Sequence, residues 1–150
     1  MLKIRTTKLL LLGLVGATMS AFAAESVPVE GTWLVTITPA QPPSGFPASF
    51  TALETYSEGG GMVTTNALPP VPRPGQGAWV RNGSDCRATI IFLGVDLGTA
   101  AAGSARIDHT FMLNGKDEYS GSGTARFFDS AGNLLFSISF TSQGRRISVP

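Results

Sequence analysis

The chain offers few side chains with which to do chemistry. It has one histidine, His109, and one cysteine, Cys86. His109 falls in a segment where Ile107, Phe111 and Leu113 share its side of a period-two alternation, so an extended strand would point the imidazole into an apolar interior. Glu54 stands in the same way among Phe50, Ala52 and Tyr56. A histidine titrates near neutrality and a carboxyl in apolar surroundings is pushed upward, so the two are candidates for acid and base or for anchoring a ligand's polar head. The alternative is that they satisfy each other or a buried water, or that the strand bearing Glu54 faces outward and its carboxylate is solvated.

Other chemistries lack their residues. With one histidine, one cysteine and scattered carboxylates, no metal site is expected and no cofactor is implied. There is no Gly-x-Ser-x-Gly elbow. Gly59-Gly60-Gly61 is not followed by a helix pattern, and reads as a hairpin turn rather than a phosphate loop. Cys86 alternates with Ala88, Ile90 and Phe92, which makes it a small buried hydrophobe; a single thiol forms no internal disulfide. Lys and Arg number 11 against 10 Asp and Glu, so no basic excess exists to neutralise a phosphate backbone, and a nucleic-acid partner is not expected. Hydrophobic residues at 43% against 14% charged exclude a solvated, disordered chain.

Residues 1–23 read as a signal peptide. Lys3, Arg5 and Lys8 precede an apolar run from Leu9 to Ala17, and Ala21-Phe22-Ala23 places small residues before a cut. The run is about half of the ~20 residues a spanning helix needs. A mature domain over 24–150 is therefore expected, secreted or periplasmic, starting at Ala24, with no transmembrane segment after cleavage.

The elements that must position His109 and Glu54 are strands. Beyond the leader no window shows helical apolar spacing, and short segments rich in Val, Ile, Thr and Phe alternate with turn residues. Eight strands are predicted, over 31–38, 48–57, 62–67, 77–81, 86–95, 104–113, 118–128 and 134–141. Tight turns at Glu58-Gly59-Gly60-Gly61, Asn82-Gly83-Ser84-Asp85 and Asn114-Gly115-Lys116-Asp117 follow strands two, four and six. Longer connections at 39–47, 67–77, 96–103 and 129–133 follow the odd strands. In an up-and-down meander this parity collects the longer loops on one rim and the tight turns on the other. The predicted fold is all-β, an eight-stranded antiparallel up-and-down barrel; a Greek-key sandwich would need long crossovers.

Alternation then assigns the interior. It should hold Trp33, Val35 and Ile37; Phe50, Ala52, Glu54 and Tyr56; Ile107, His109, Phe111 and Leu113; Tyr119 with Gly121 and Gly123; and Leu134, Phe136, Ile138 and Phe140. The two glycines are expected to leave room. A ligand entering from the long-loop rim would meet Phe50, Tyr56, His109, Phe111, Tyr119, Phe136 and Ile138, with loops 39–47 and 67–77 as gates.

Gly31-Thr32-Trp33 opens the first strand and Gly144-Arg145-Arg146 follows the last. Together these resemble the calycin superfamily, lipocalins in particular. The resemblance implies a barrel floor of Gly31 and Trp33, closed by Arg145 or Arg146 lying across the indole. Avidins and barrels of the allene oxide cyclase type are similar. The segment from Gly77-Ala78-Trp79 to Asp129-Ser130-Ala131-Gly132-Asn133 also resembles a widespread group of bacterial secreted proteins, which implies a fold and no activity.

Three function classes follow. The barrel binds a small, mostly apolar molecule; or it is a cyclase or isomerase in which His109 and Glu54 move a proton; or its interior is filled and it acts through its surface as an envelope protein. The sequence sets no oligomeric state.

Overall fold

The computed structural model describes residues 27–68, 74–95 and 102–148. They form eight strands: β1 (Gly31–Pro39), β2 (Phe50–Tyr56), β3 (Gly61–Asn66), β4 (Pro74–Asn82), β5 (Asp85–Val95), β6 (Gly103–Leu113), β7 (Glu118–Phe128) and β8 (Leu134–Arg146). Each pairs antiparallel with the next, and β8 pairs with β1, so the sheet closes into an up-and-down barrel. Closure leaves no sheet edge. Among the described residues no helix is long and apolar enough to cross a membrane. The leader at 1–23 lies outside the described residues.

The tight turns form as their residues allow. Gly59, Gly60, Gly83 and Gly115 adopt positive φ, and the amides of Ser57 and Asn114 bond across their turns to Gly61 O and Glu118 O at 2.9 and 2.8 Å. Two strands differ from the sequence reading. β4 begins three residues earlier, at Pro74, and β8 runs on to Arg146. Gly144-Arg145-Arg146 therefore lies inside the last strand, where Trp33 pairs with Arg146 and Glu118 with Arg145. The apolar alternation stops at Phe140, but Ser142 and Gly144 continue it as buried positions, so backbone pairing on both sides carries the strand past its hydrophobic signal.

Alternation sorts the side chains as anticipated on β1, β2, β5 and β6. Trp33, Val35, Ala52, Glu54, Tyr56, Cys86, Ala88, Ile90, His109 and Phe111 are all buried. Burial pushes the Cys86 thiol up, against the lowering influence of Arg81. β8 departs from expectation at its start. Ile138 and Phe140 are buried, but Leu134 is 57% exposed and Phe136 40%, because the strand emerges from the rim there. The outer wall carries a charged cluster on β6 and β7, in which Arg106 and Arg126 both pair with Asp108 and Thr89 donates to it.

Candidate functional site

The closed end decides how deep any cavity runs. Trp33 is fully buried, and its Nε1 donates to Val29 O at 2.9 Å. The Arg146 guanidinium lies over the indole, 4.2 Å from the ring centroid. It also donates to the backbone oxygens of Lys116, at 2.8 Å, and of Pro28 and Glu30, both at 2.5 Å. Of the two candidate arginines, Arg146 is therefore the one across the tryptophan; Arg145 is exposed on the outer face. Arg81 donates to Val27 O, so two arginines tie residues 27–30 across the barrel end. Gly31, at a φ of 121°, sits where a Cβ would meet the Arg146 guanidinium.

Above this floor lies an aromatic layer. Tyr119 packs on Trp33 with centroids 5.1 Å apart and on Phe111 at 4.7 Å, and Phe111 packs on Tyr56 at 5.2 Å. Gly144 permits the Tyr119 ring to lie flat on β8, since a Cβ there would overlap it. Gly121 and Gly123 do likewise for His109 with Phe111 and for Phe140. The expected room at these glycines is thus occupied by neighbouring rings, and the interior below mid-height is solid.

Glu54 and His109 sit on top of that layer. Glu54 is 3% exposed, and Oε2 accepts hydrogen bonds from Tyr56 Oη at 2.6 Å and Tyr119 Oη at 2.8 Å. Burial and then the neighbouring carboxylate raise both phenol pKa values well above their usual range, so both remain protonated donors. His109 is 3% exposed, stacks on Phe111, and its Nε2 shares a hydrogen bond of 2.7 Å with Ser142 Oγ. Burial lowers its pKa, an effect Glu54 only partly offsets, so the imidazole is neutral at pH 7. The strand bearing Glu54 does face inward. No hydrogen bond joins Glu54 to His109 among the described residues, each being held instead by partners of its own.

From these two side chains upward the barrel is hollow. A cavity of about 500 Å³ reaches from Glu54, Thr64 and His109 to the rim, walled mainly by Ile90, Phe92, Ile107, Phe127, Ile138 and Phe140. That exceeds the ~300 Å³ at which small-molecule sites begin. Ala52, Ala105 and Ala125 line it, and their short side chains create the space that the glycines do not. Pro43 to Pro47 overhang the mouth, with Phe46 edge-on to Phe50 at 6.0 Å and Phe136 stacked on Phe127 at 4.5 Å.

Of the anticipated lining residues, Phe50, His109, Phe136 and Ile138 line the cavity. Tyr56, Phe111 and Tyr119 do not; they are packed beneath it, where the two tyrosines act on Glu54 instead. The connection 39–47, the first expected gate, lies at the mouth. Of the second expected gate, Leu68 lines the cavity, 69–73 lie outside the described residues, and Pro74 to Gly77 belong to β4. Ser142 and Val29 belong to the site without a sequence signal. Ser142 lies beyond the apolar part of its strand and Val29 precedes the first strand, so neither had a periodic signal.

Among the described residues no three His, Cys, Asp or Glu side chains are grouped to hold a metal. No protein-family model matches the chain, nor does any curated protein. The closed eight-stranded antiparallel barrel is compatible with a calycin-like architecture, the coarse form of the resemblance noted above.

Proposed function

We propose that the protein is a secreted or periplasmic lipocalin-like barrel that binds a small, mostly apolar molecule. The cavity carries this reading: about 500 Å³, apolar over most of its wall, with a few polar groups gathered at its inner end. Wall burial supplies affinity and the inner polar groups orient the guest. The leader-like order of residues 1–23 supports export. The cyclase or isomerase alternative uses the same His109 and Glu54. It is less favoured, because Glu54 is engaged by two phenols and His109 by Ser142, with no hydrogen bond between them to relay a proton.

Native mass spectrometry of protein isolated from its own host, with displacement of an environment-sensitive apolar dye, tests the binding function. A co-purifying small molecule, or saturable one-to-one dye binding, is expected. Ala125→Leu fills the cavity from β7 and should weaken dye binding at least about tenfold without lowering the melting temperature, since it adds apolar contact in open space. Unaltered binding in that variant would place the dye elsewhere and sink the proposal.

A further inference from the structure

The inner end of the cavity presents oxygen acceptors and, among the described residues, no lysine or arginine. Both hydrogen bonds to Glu54 land on Oε2, and among the described residues Oε1 accepts none, although the side chain lines the cavity. Two phenol hydrogens converge on one oxygen and leave the other facing the cavity. Among the described residues no lysine or arginine pairs with Glu54; the ion pairs found lie on the outer wall and at the floor. Among the described residues no lysine or arginine lines the cavity either, and of the described lining groups only His109 can become a cation. Thr64, the cross-strand partner of Glu54, adds a hydroxyl oxygen on the same wall. Among the described residues no buried side-chain oxygen lacks a partner, so Oε1 is open to the cavity, where a donor on a guest can reach it.

Building on the binding reading, we propose that the cavity selects an apolar amine, whose ammonium is seated against Glu54 Oε1 while its hydrocarbon body fills the space up to Phe127 and Phe136. A carboxylate-headed guest such as a fatty acid meets the opposite situation. Its head would face Glu54 with no cation to shield it, so it is excluded from the inner end although its tail would fit. A hydroxyl head donates one uncharged hydrogen bond and falls between the two.

The test is a matched series of decylamine, decanol and decanoate, used below their aggregation concentrations at neutral pH to displace the bound dye. Wild-type protein should bind decylamine most tightly, with decanoate weaker by about 100-fold or more. Glu54→Gln keeps a carbonyl oxygen for the two tyrosines but removes the charge, and should bring the three affinities to within about tenfold. Decanoate binding as well as decylamine to the wild type, or an amine advantage undiminished in Glu54→Gln, overturns the head-group assignment and leaves the binding function standing. Displacement of the dye by none of the three overturns the head-group assignment, and absence of saturable dye binding overturns both. Should Glu54→Gln fail to fold, the wild-type ordering alone decides.

Discussion

A buried imidazole and two buried phenols make stability depend on pH from both sides. His109 has its folded pKa lowered by burial from the ordinary 6.5. The unfolded chain takes up a proton near that pH while the folded chain does not. Stability from this group is thus fully present above about pH 6.5 and is lost as pH falls toward the folded value. Tyr56 and Tyr119 act in the opposite direction. Their folded pKa values lie above the ordinary 10.0, so the unfolded chain loses protons first as pH rises past that point, and stability falls. Urea midpoints followed with pH should decline on the acid side of 6.5 and again above 10, and Tyr119→Phe should lessen the alkaline decline. A midpoint flat across the alkaline range would show that the phenols are not held protonated. At the floor, Trp33→Ala should cost about 3–5 kcal/mol as a large-to-small core change. Arg146→Lys retains the charge but loses the planar stack and most of the bonds to Lys116, Pro28 and Glu30. It should cost about 1–3 kcal/mol, read from the denaturation midpoint.

β8 decides how this layer is held. Its lower half contributes Ser142 to His109, Gly144 to the underside of Tyr119 and Arg146 to Trp33, all from alternate positions on one inward face. Gly144→Ala should therefore do more than its single methyl implies. The Tyr119 ring must move, its bond to Glu54 is strained or lost, and a destabilisation of about 1–3 kcal/mol is expected in thermal or urea unfolding. This strand also marks where sequence reading succeeded and stopped. Alternation with hydrophobic type turns Ile138 and Phe140 inward, but the polar and glycine positions below them carry no such signal, so the sequence pattern ends the last strand at Thr141. Glu54 and His109 were legible as inward groups because apolar neighbours share their period. Their distant partners are not legible, because Tyr119 reaches Glu54 across 65 residues and Ser142 reaches His109 across 33, relations fixed by barrel closure, whereas Tyr56 is two residues from Glu54 on the same strand. Tyr56 and Phe111 were placed on the cavity wall because alternation says which way a side chain faces and not at what height it lies.

At the scale of the whole molecule the barrel divides into a packed half and a hollow half, and the two should respond differently to a guest. The packed half is closed by tight turns, by Val29 and by two arginines reaching the 27–30 segment, and its rings contact one another from Trp33 up to His109. The hollow half is walled by strands whose inner side chains face open space, and at the mouth by the overhanging 39–47 connection. Local opening is easiest where buried apolar contacts are fewest, so amides of β1 and β8 near Ile37 and Phe136 should exchange hydrogen faster than those near Trp33 and Gly144. A guest bound in the cavity supplies the missing contacts to the upper half only. Adding decylamine should then slow exchange at Phe50, Phe127, Ile138 and the 43–47 segment, each of which lines the cavity, while amides around Trp33, Tyr119 and Arg146, already limited by the floor, change little. Exchange that slows evenly along the chain would mean that the halves open as one unit, and slowing confined to the outer faces of β6 and β7 would place the guest on the charged wall of Arg106, Asp108 and Arg126. The division also predicts that floor and cavity variants separate: Arg146→Lys should lower the melting temperature and preserve the affinity order of the amine, alcohol and acid, whereas Ala125→Leu should weaken binding at least about tenfold and preserve the melting temperature. The reason is physical distance along the barrel axis, with the aromatic layer of Tyr56, Phe111 and Tyr119 standing between the two sites.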